Sequence, residues 1–120
     1  MSQSPEQTAV SSAPPHGPIK VSVVEDNDNI RESLGILIGG ECGFQLASSH
    51  RTAEEALKQI PLKKPDVVLM DINLPNMSGV ECVRKLKALM PSLRIVMHTV
   101  YKDGEQLFQS LRAGADGYLL

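Results

Sequence analysis

Asp71 stands at the exit of the apolar run Val67-Val68-Leu69-Met70, directly before the turn-forming stretch Leu74-Pro75-Asn76-Met77-Ser78-Gly79. A second apolar run, Val21-Ser22-Val23-Val24, also ends in carboxylates, Glu25 and Asp26. A third, Leu93-Arg94-Ile95-Val96-Met97, ends at His98 and Thr99. Strand-like runs that all finish in oxygen-bearing side chains point to one site at one edge of a parallel sheet, because ligands of open α/β sheets sit outside the carboxyl ends of the strands. Three carboxylates in one pocket repel each other and raise their own pKa values unless a cation neutralises them. Mg²⁺ suits such a set, since it takes a few carboxylates and keeps several waters. An aspartate beside that ion can act as a nucleophile towards phosphorus and form an acyl phosphate. The ion would offset charge on the phosphoryl oxygens, and the Thr99 hydroxyl could donate a hydrogen bond to one of them. Alone, Glu25 and Asp26 read as solvated acids at a helix start, where negative charge is favourable, and Asp71 as a turn-former. Their matched places at strand ends favour the metal reading. His98 reads as a core or second-layer residue and not as a ligand.

The elements that must position these residues alternate strand and helix from Ile19 onward. Ile30, Leu34, Leu37 and Ile38 repeat at helical spacing, with Asp28 as N-cap and Gly39-Gly40 as the stop. Phe44-Gln45-Leu46-Ala47 is a short second strand. Thr52-Ala53-Glu54-Glu55 is a capping box opening a helix with Ala53, Ala56, Leu57 and Ile60 on one face and Pro61 as the stop. Ser78-Gly79-Val80-Glu81 is another, opening a helix through Val83, Leu86 and Leu89 to Pro91. Asp103 caps a helix carrying Leu107, Phe108 and Leu111 and closing at Gly114, and Gly117-Tyr118-Leu119-Leu120 begins a fifth strand. Five strands alternating with four helices predict a doubly wound parallel α/β sheet. Right-handed crossovers leave few topologies, and the order 2-1-3-4-5 brings Glu25, Asp26 and Asp71 together. Such a sheet expects a closing fifth helix, which this chain lacks. The face left bare, with a strand-five edge, predicts self-association (exchange of the last elements included) or lower stability than a longer chain would have.

The chain has 120 residues, 42% hydrophobic and 22% charged, with a net charge of −2. That suits one domain with one core and gives no basic footprint for direct nucleic-acid binding. No apolar run reaches membrane-spanning length and no signal-peptide pattern opens the chain, so the cytoplasm is the default location. Residues Met1 to Pro18, rich in Ser, Gln and Pro, read as a disordered leader. Cys42 and Cys82 lack metal-ligand spacing and read as reduced thiols, at least one of them buried.

The segments Val23-Val24-Glu25-Asp26-Asn27, Val68-Leu69-Met70-Asp71-Ile72-Asn73-Leu74-Pro75, Met97-His98-Thr99 and Gly114-Ala115-Asp116-Gly117-Tyr118-Leu119-Leu120 together resemble the receiver domain of two-component response regulators, over Ile19 to Leu120. The resemblance implies a flavodoxin-like fold and a phosphorylation-dependent signalling switch, not an ordinary enzyme, although it assists its own phosphorylation and dephosphorylation. Asp71 would accept the phosphoryl group from a cognate histidine kinase. Glu25 and Asp26 would hold Mg²⁺ together with Asp71 and the main-chain carbonyl of Asn73. Thr99 would follow the phosphoryl group, and Tyr118 would report the change. The ending looks most like the NarL/FixJ branch, whose members usually carry a helix-turn-helix DNA-binding output domain. Two departures stand out. The family's lysine, expected just after Leu120, is absent, and Val100 follows Thr99 where a small residue is usual, which would narrow access to the acyl phosphate. The absent lysine keeps open a phosphorylation-independent interaction module. A phosphohydrolase of the haloacid-dehalogenase type also uses an aspartate nucleophile, but it needs an acid where this chain has Asn73, and a cap domain.

Overall fold

In a computed structural model the chain is described over residues 17–98 and 104–119, without the side chains of 104–108 and Tyr118. Five strands, β1 (Ile19–Val24), β2 (Phe44–His50), β3 (Val67–Asp71), β4 (Arg94–His98) and β5 (Gly117–Leu119), alternate with four helices, α1 (Asp28–Gly40), α2 (Ala53–Lys63), α3 (Gly79–Leu89) and α4 (Gly104–Ala113). The sheet is parallel throughout, in the order β2-β1-β3-β4-β5. The expected α/β doubly wound topology is therefore present.

One face of the sheet is closed by α2 and α3. Val24, Val68, Met70, Ile95 and Met97 pack there against Ala53, Ala56 and Ile60 of α2 and Cys82, Val83 and Leu86 of α3, all fully buried. Cys82 is thus a core residue, and burial pushes its thiol up to about 12, while Cys42 is exposed. Among the described residues the other face is thinly covered. α1 contributes no fully buried residue, Leu37 is 66% exposed, and an apolar cavity of about 280 Å³ opens between Leu37, Ile38 and Phe44 on one side and Val21, Val67 and Leu69 on the other.

Local chemistry departs from the sequence pattern in four places. Asn27, not Asp28, caps α1: its side-chain oxygen accepts the Ile30 N–H at 3.0 Å. Asp28 sits one position inside, where its charge meets the helix N-terminus and Arg31. Pro61 lies within α2 and does not end it, because one missing N–H removes one bond while Lys64 N–H still reaches Ile60 O at 2.9 Å. The turn is made by Lys64 in the left-handed region, φ 51°. β2 runs on to His50 through polar Ser48 and Ser49, held by pairing with β1 and by a 2.6 Å hydroxyl contact between Ser22 and Ser48. Leu89 turns to solvent, 62% exposed, and does not join Val83 and Leu86 in the core. Of each expected capping box the N-cap half forms, with Thr52 accepting the Glu55 N–H and Ser78 the Glu81 N–H, while the Glu55 side chain accepts the Arg51 N–H and the Glu81 side chain pairs with Arg84. Asp103 lies outside the described residues.

Candidate functional site

Strand register builds the site. Val24 of β1 is aligned with Met70 of β3, and Asp71 of β3 with His98 of β4. One residue past Val24, Glu25 therefore falls beside Asp71, so Glu25, Asp71 and His98 stand in a row at the carboxyl ends of three adjacent strands. Neighbouring strands lie about 4.8 Å apart, and aligned residues share a face. One ligand atom from each of the three lies within 4.8 Å of the others.

Backbone N–H groups orient both carboxylates in the same way. Asn73 N–H donates to Asp71 Oδ1 at 3.1 Å, and Asn27 N–H to Glu25 Oε2 at 2.9 Å. Each acid thus has one oxygen tied to the amide two residues on, and the two side chains also meet each other in the pocket. The Glu25 main chain is fixed as well: its N–H donates to His50 O at 3.0 Å, and its carbonyl accepts from Arg31 Nη1 at 2.9 Å. Gly79 closes the loop behind Asp71, where a Cβ would lie 2.1 Å from the Asp71 carbonyl oxygen. Only glycine permits that approach.

Burial sets the electrostatics. Glu25 is 3% exposed and Asp71 8% exposed. Burial, opposed by the Asn27 N–H and reinforced by the Asp71 charge and the nearby Asp26, pushes Glu25 up to about 7. Burial raises Asp71 too, against the Asn73 N–H and the His98 ring. Burial lowers His98, partly offset by the charge of Asp71. Two carboxylates that resist ionising side by side make a place where a cation is favoured.

The structure brings together Glu25 and Asp71 and adds His98, which the sequence pattern had set in the core or a second layer. Its alignment with Asp71 was the available signal. Asp26 is exposed and lies outside the group of three. Asn73 contributes its N–H to Asp71 as described. The Tyr118 backbone pairs with Met97 in β5, while its side chain, together with Thr99 and Val100, lies outside the described residues.

A doubly wound parallel sheet with an acidic pocket at the ends of β1, β3 and β4 defines a flavodoxin-like α/β domain. The family profile of the response regulator receiver domain matches residues 21–120, and the chain belongs to that family. Response regulator GacA of Pseudomonas syringae pv. syringae is 37% identical over 101 residues, 84% of this chain and 47% of its own length. The DNA-binding transcriptional activator DevR/DosR of Mycobacterium tuberculosis is 32% identical over 102 residues, 85% and 47%. A crystal structure of a LuxR-family two-component response regulator from Aurantimonas sp. SI85-9A1 superposes with a TM-score of 0.80 at 27% identity, covering 85% of this chain and 73% of that one. The chain spans about half the length of the curated relatives it matches. Membership places it among signalling domains and not classical enzymes. No helix among the described residues is long and apolar enough to cross a membrane.

Proposed function

We propose that this chain is a phosphorylation-dependent switch that acts in the cytoplasm, accepts a phosphoryl group on Asp71 from a histidine kinase, and controls a DNA-binding output domain. The observation that carries the reading is the pairing of Asp71 with Glu25, each buried and each with one oxygen held by a backbone N–H. The Asp71 oxygen not held by Asn73 attacks the phosphorus of a phosphohistidine and the P–N bond breaks. The imidazole leaves with the bonding pair and takes up a proton, and an acyl phosphate remains on Asp71. The donor set fits Mg²⁺: hard carboxylate oxygens from Glu25 and Asp71, with Asp26 and the Asn73 carbonyl as the further oxygens we assign to it. When bound, Mg²⁺ supplies charge neutralisation for the phosphoryl oxygens. The chain's own part is positioning. The Asn73 amide and the close approach of Gly79 hold the nucleophile, and the Asn27 amide and Arg31 hold Glu25. We assign to Thr99 the hydrogen bond to the phosphoryl group and to Tyr118 the reporting of the change. The output assignment is supported by the transcriptional activator among the relatives.

Incubation with a small phosphodonor and Mg²⁺, followed by acid quench and intact-mass measurement, should show one added phosphoryl group. Asp71→Asn should show none. Uptake by the variant at the wild-type rate would place the acceptor elsewhere. No uptake by either protein would favour a phosphorylation-independent interaction module.

A further inference from the structure

His98 is the feature of this pocket that carboxylate chemistry does not use. Its Nε2 is sealed from water and has no hydrogen-bond partner among the described residues. It points at the acidic pair, lying 3.5 Å from Glu25 Oε1, which is the oxygen that Asn27 leaves free. That separation is too long for a closed charge-assisted hydrogen bond, usually about 2.7–2.9 Å. It does fall within the roughly 3.0–4.2 Å that separates two donors of one octahedral ion with bonds of about 2.1 Å. The alignment of His98 with Asp71 on adjacent strands fixes the ring on the same face as both acids, so the arrangement follows from the sheet and not from a mobile loop.

We propose that His98 Nε2 is a direct metal donor, completing a mixed site with Glu25 and Asp71, and that the pocket therefore favours Mn²⁺ or Co²⁺ over Mg²⁺ more than an all-oxygen pocket would. The inference rests on the reading of Glu25 and Asp71 as metal ligands. Its physical basis is donor type. Mg²⁺ prefers oxygen and dehydrates reluctantly, whereas an imidazole nitrogen gains more from ions later in the first transition row. A nitrogen donor also relieves a buried ring nitrogen that otherwise lacks a partner.

The test is pulsed electron paramagnetic resonance on the protein loaded with Mn²⁺. The wild type should show nitrogen modulation of the strength expected for a directly bound imidazole, and His98→Val should lose it. In competition titrations His98→Val should lower the Co²⁺-to-Mg²⁺ affinity ratio by about tenfold or more, with Mg²⁺ affinity nearly unchanged. His98→Gln, which keeps a polar side chain, serves if the valine variant does not fold. Mn²⁺ bound at the pocket without imidazole modulation would overturn the inference and leave the carboxylate site standing. Mn²⁺ binding that is unaffected by combined Glu25→Gln and Asp71→Asn would overturn the site itself. A ratio unchanged in both His98 variants would also overturn the inference.

Discussion

Neutralising Glu25 should change how stability depends on pH, by an amount that burial sets. The folded chain keeps the Glu25 proton up to about 7, whereas the ordinary value is 4.5. Between those values the folded state binds more protons than the unfolded state, so stability falls as pH rises. At about 1.4 kcal/mol per pH unit, that interval is worth about 3 kcal/mol, lost in full above pH 7. Other groups complicate the raw curve. Asp71 is raised and acts in the same sense. Buried His50 and His98 are lowered, so their contribution is present above 6.5 and lost as pH falls. The difference between wild type and Glu25→Gln reads the loss of this proton together with the response of Asp71, which titrates with Glu25 as a pair; glutamine keeps an acceptor oxygen for the Asn27 N–H and has no proton to lose. Urea melts of both proteins from below pH 4.5 to above pH 7 should show the variant gaining about 3 kcal/mol relative to wild type. Saturating Mg²⁺ at the upper end should stabilise the wild type more than the variant, since the ion binds the ionised acids. Parallel wild-type and variant profiles would refute the reasoning, because Glu25 would then titrate as an ordinary exposed acid.

Two further substitutions probe the frame around the site. Gly79→Ala would set a Cβ 2.1 Å from the Asp71 carbonyl oxygen and 3.0 Å from Ile72 Cα. Both are backbone atoms, so the loop must move. The gain in helix propensity is about 1 kcal/mol, and the clash should outweigh it, giving a net loss of about 2 kcal/mol in urea melts together with slower uptake from a small phosphodonor; wild-type stability would show that the loop yields freely. Asp116→Ala removes the acceptor for the Ile95 N–H at 2.8 Å and the partner of Lys87 Nζ at 3.0 Å. The ion pair is partly exposed and screened, so most of an expected loss of about 1–2 kcal/mol is the stranded Ile95 amide, and a loss within error of zero would mean that water replaces the carboxylate.

Most of the fold was legible because the apolar periods were unambiguous. Val68, Met70, Ile95 and Met97 are continuous strand runs, and Ala53, Ala56, Ile60, Val83 and Leu86 mark helix faces, so both the elements and their partners could be read. The misjudged boundaries were those where neighbours compete for one role. Asn27 and Asp28 are both good caps, and only the backbone angles of Asn27, φ −77° and ψ 117°, show which takes the Ile30 amide. Ser48 and Ser49 carry no apolar signal, and they stay in β2 because β1 supplies the ladder beside them. Pro61 looked like a terminator because its missing N–H is visible in sequence, whereas burial of Ile60 and the bond from Lys64 are not.

The acidic pair was legible for a stronger reason. In a parallel sheet the residue after the last apolar position of each strand emerges at the same edge, so Glu25 and Asp71 could be matched by counting alone. The same count carries to β4, where Asp71 is aligned with His98. What sequence cannot show is that Nε2 has no hydrogen-bond partner among the described residues, where an imidazole at a strand end is usually satisfied by a core hydrogen bond. The backbone amides of Asn27 and Asn73 were equally hidden, since any residue type could donate them. They decide which oxygen of each acid the main chain holds. The chemistry of the pocket is thus divided between side chains that spacing reveals and main-chain donors that only the folded turn supplies.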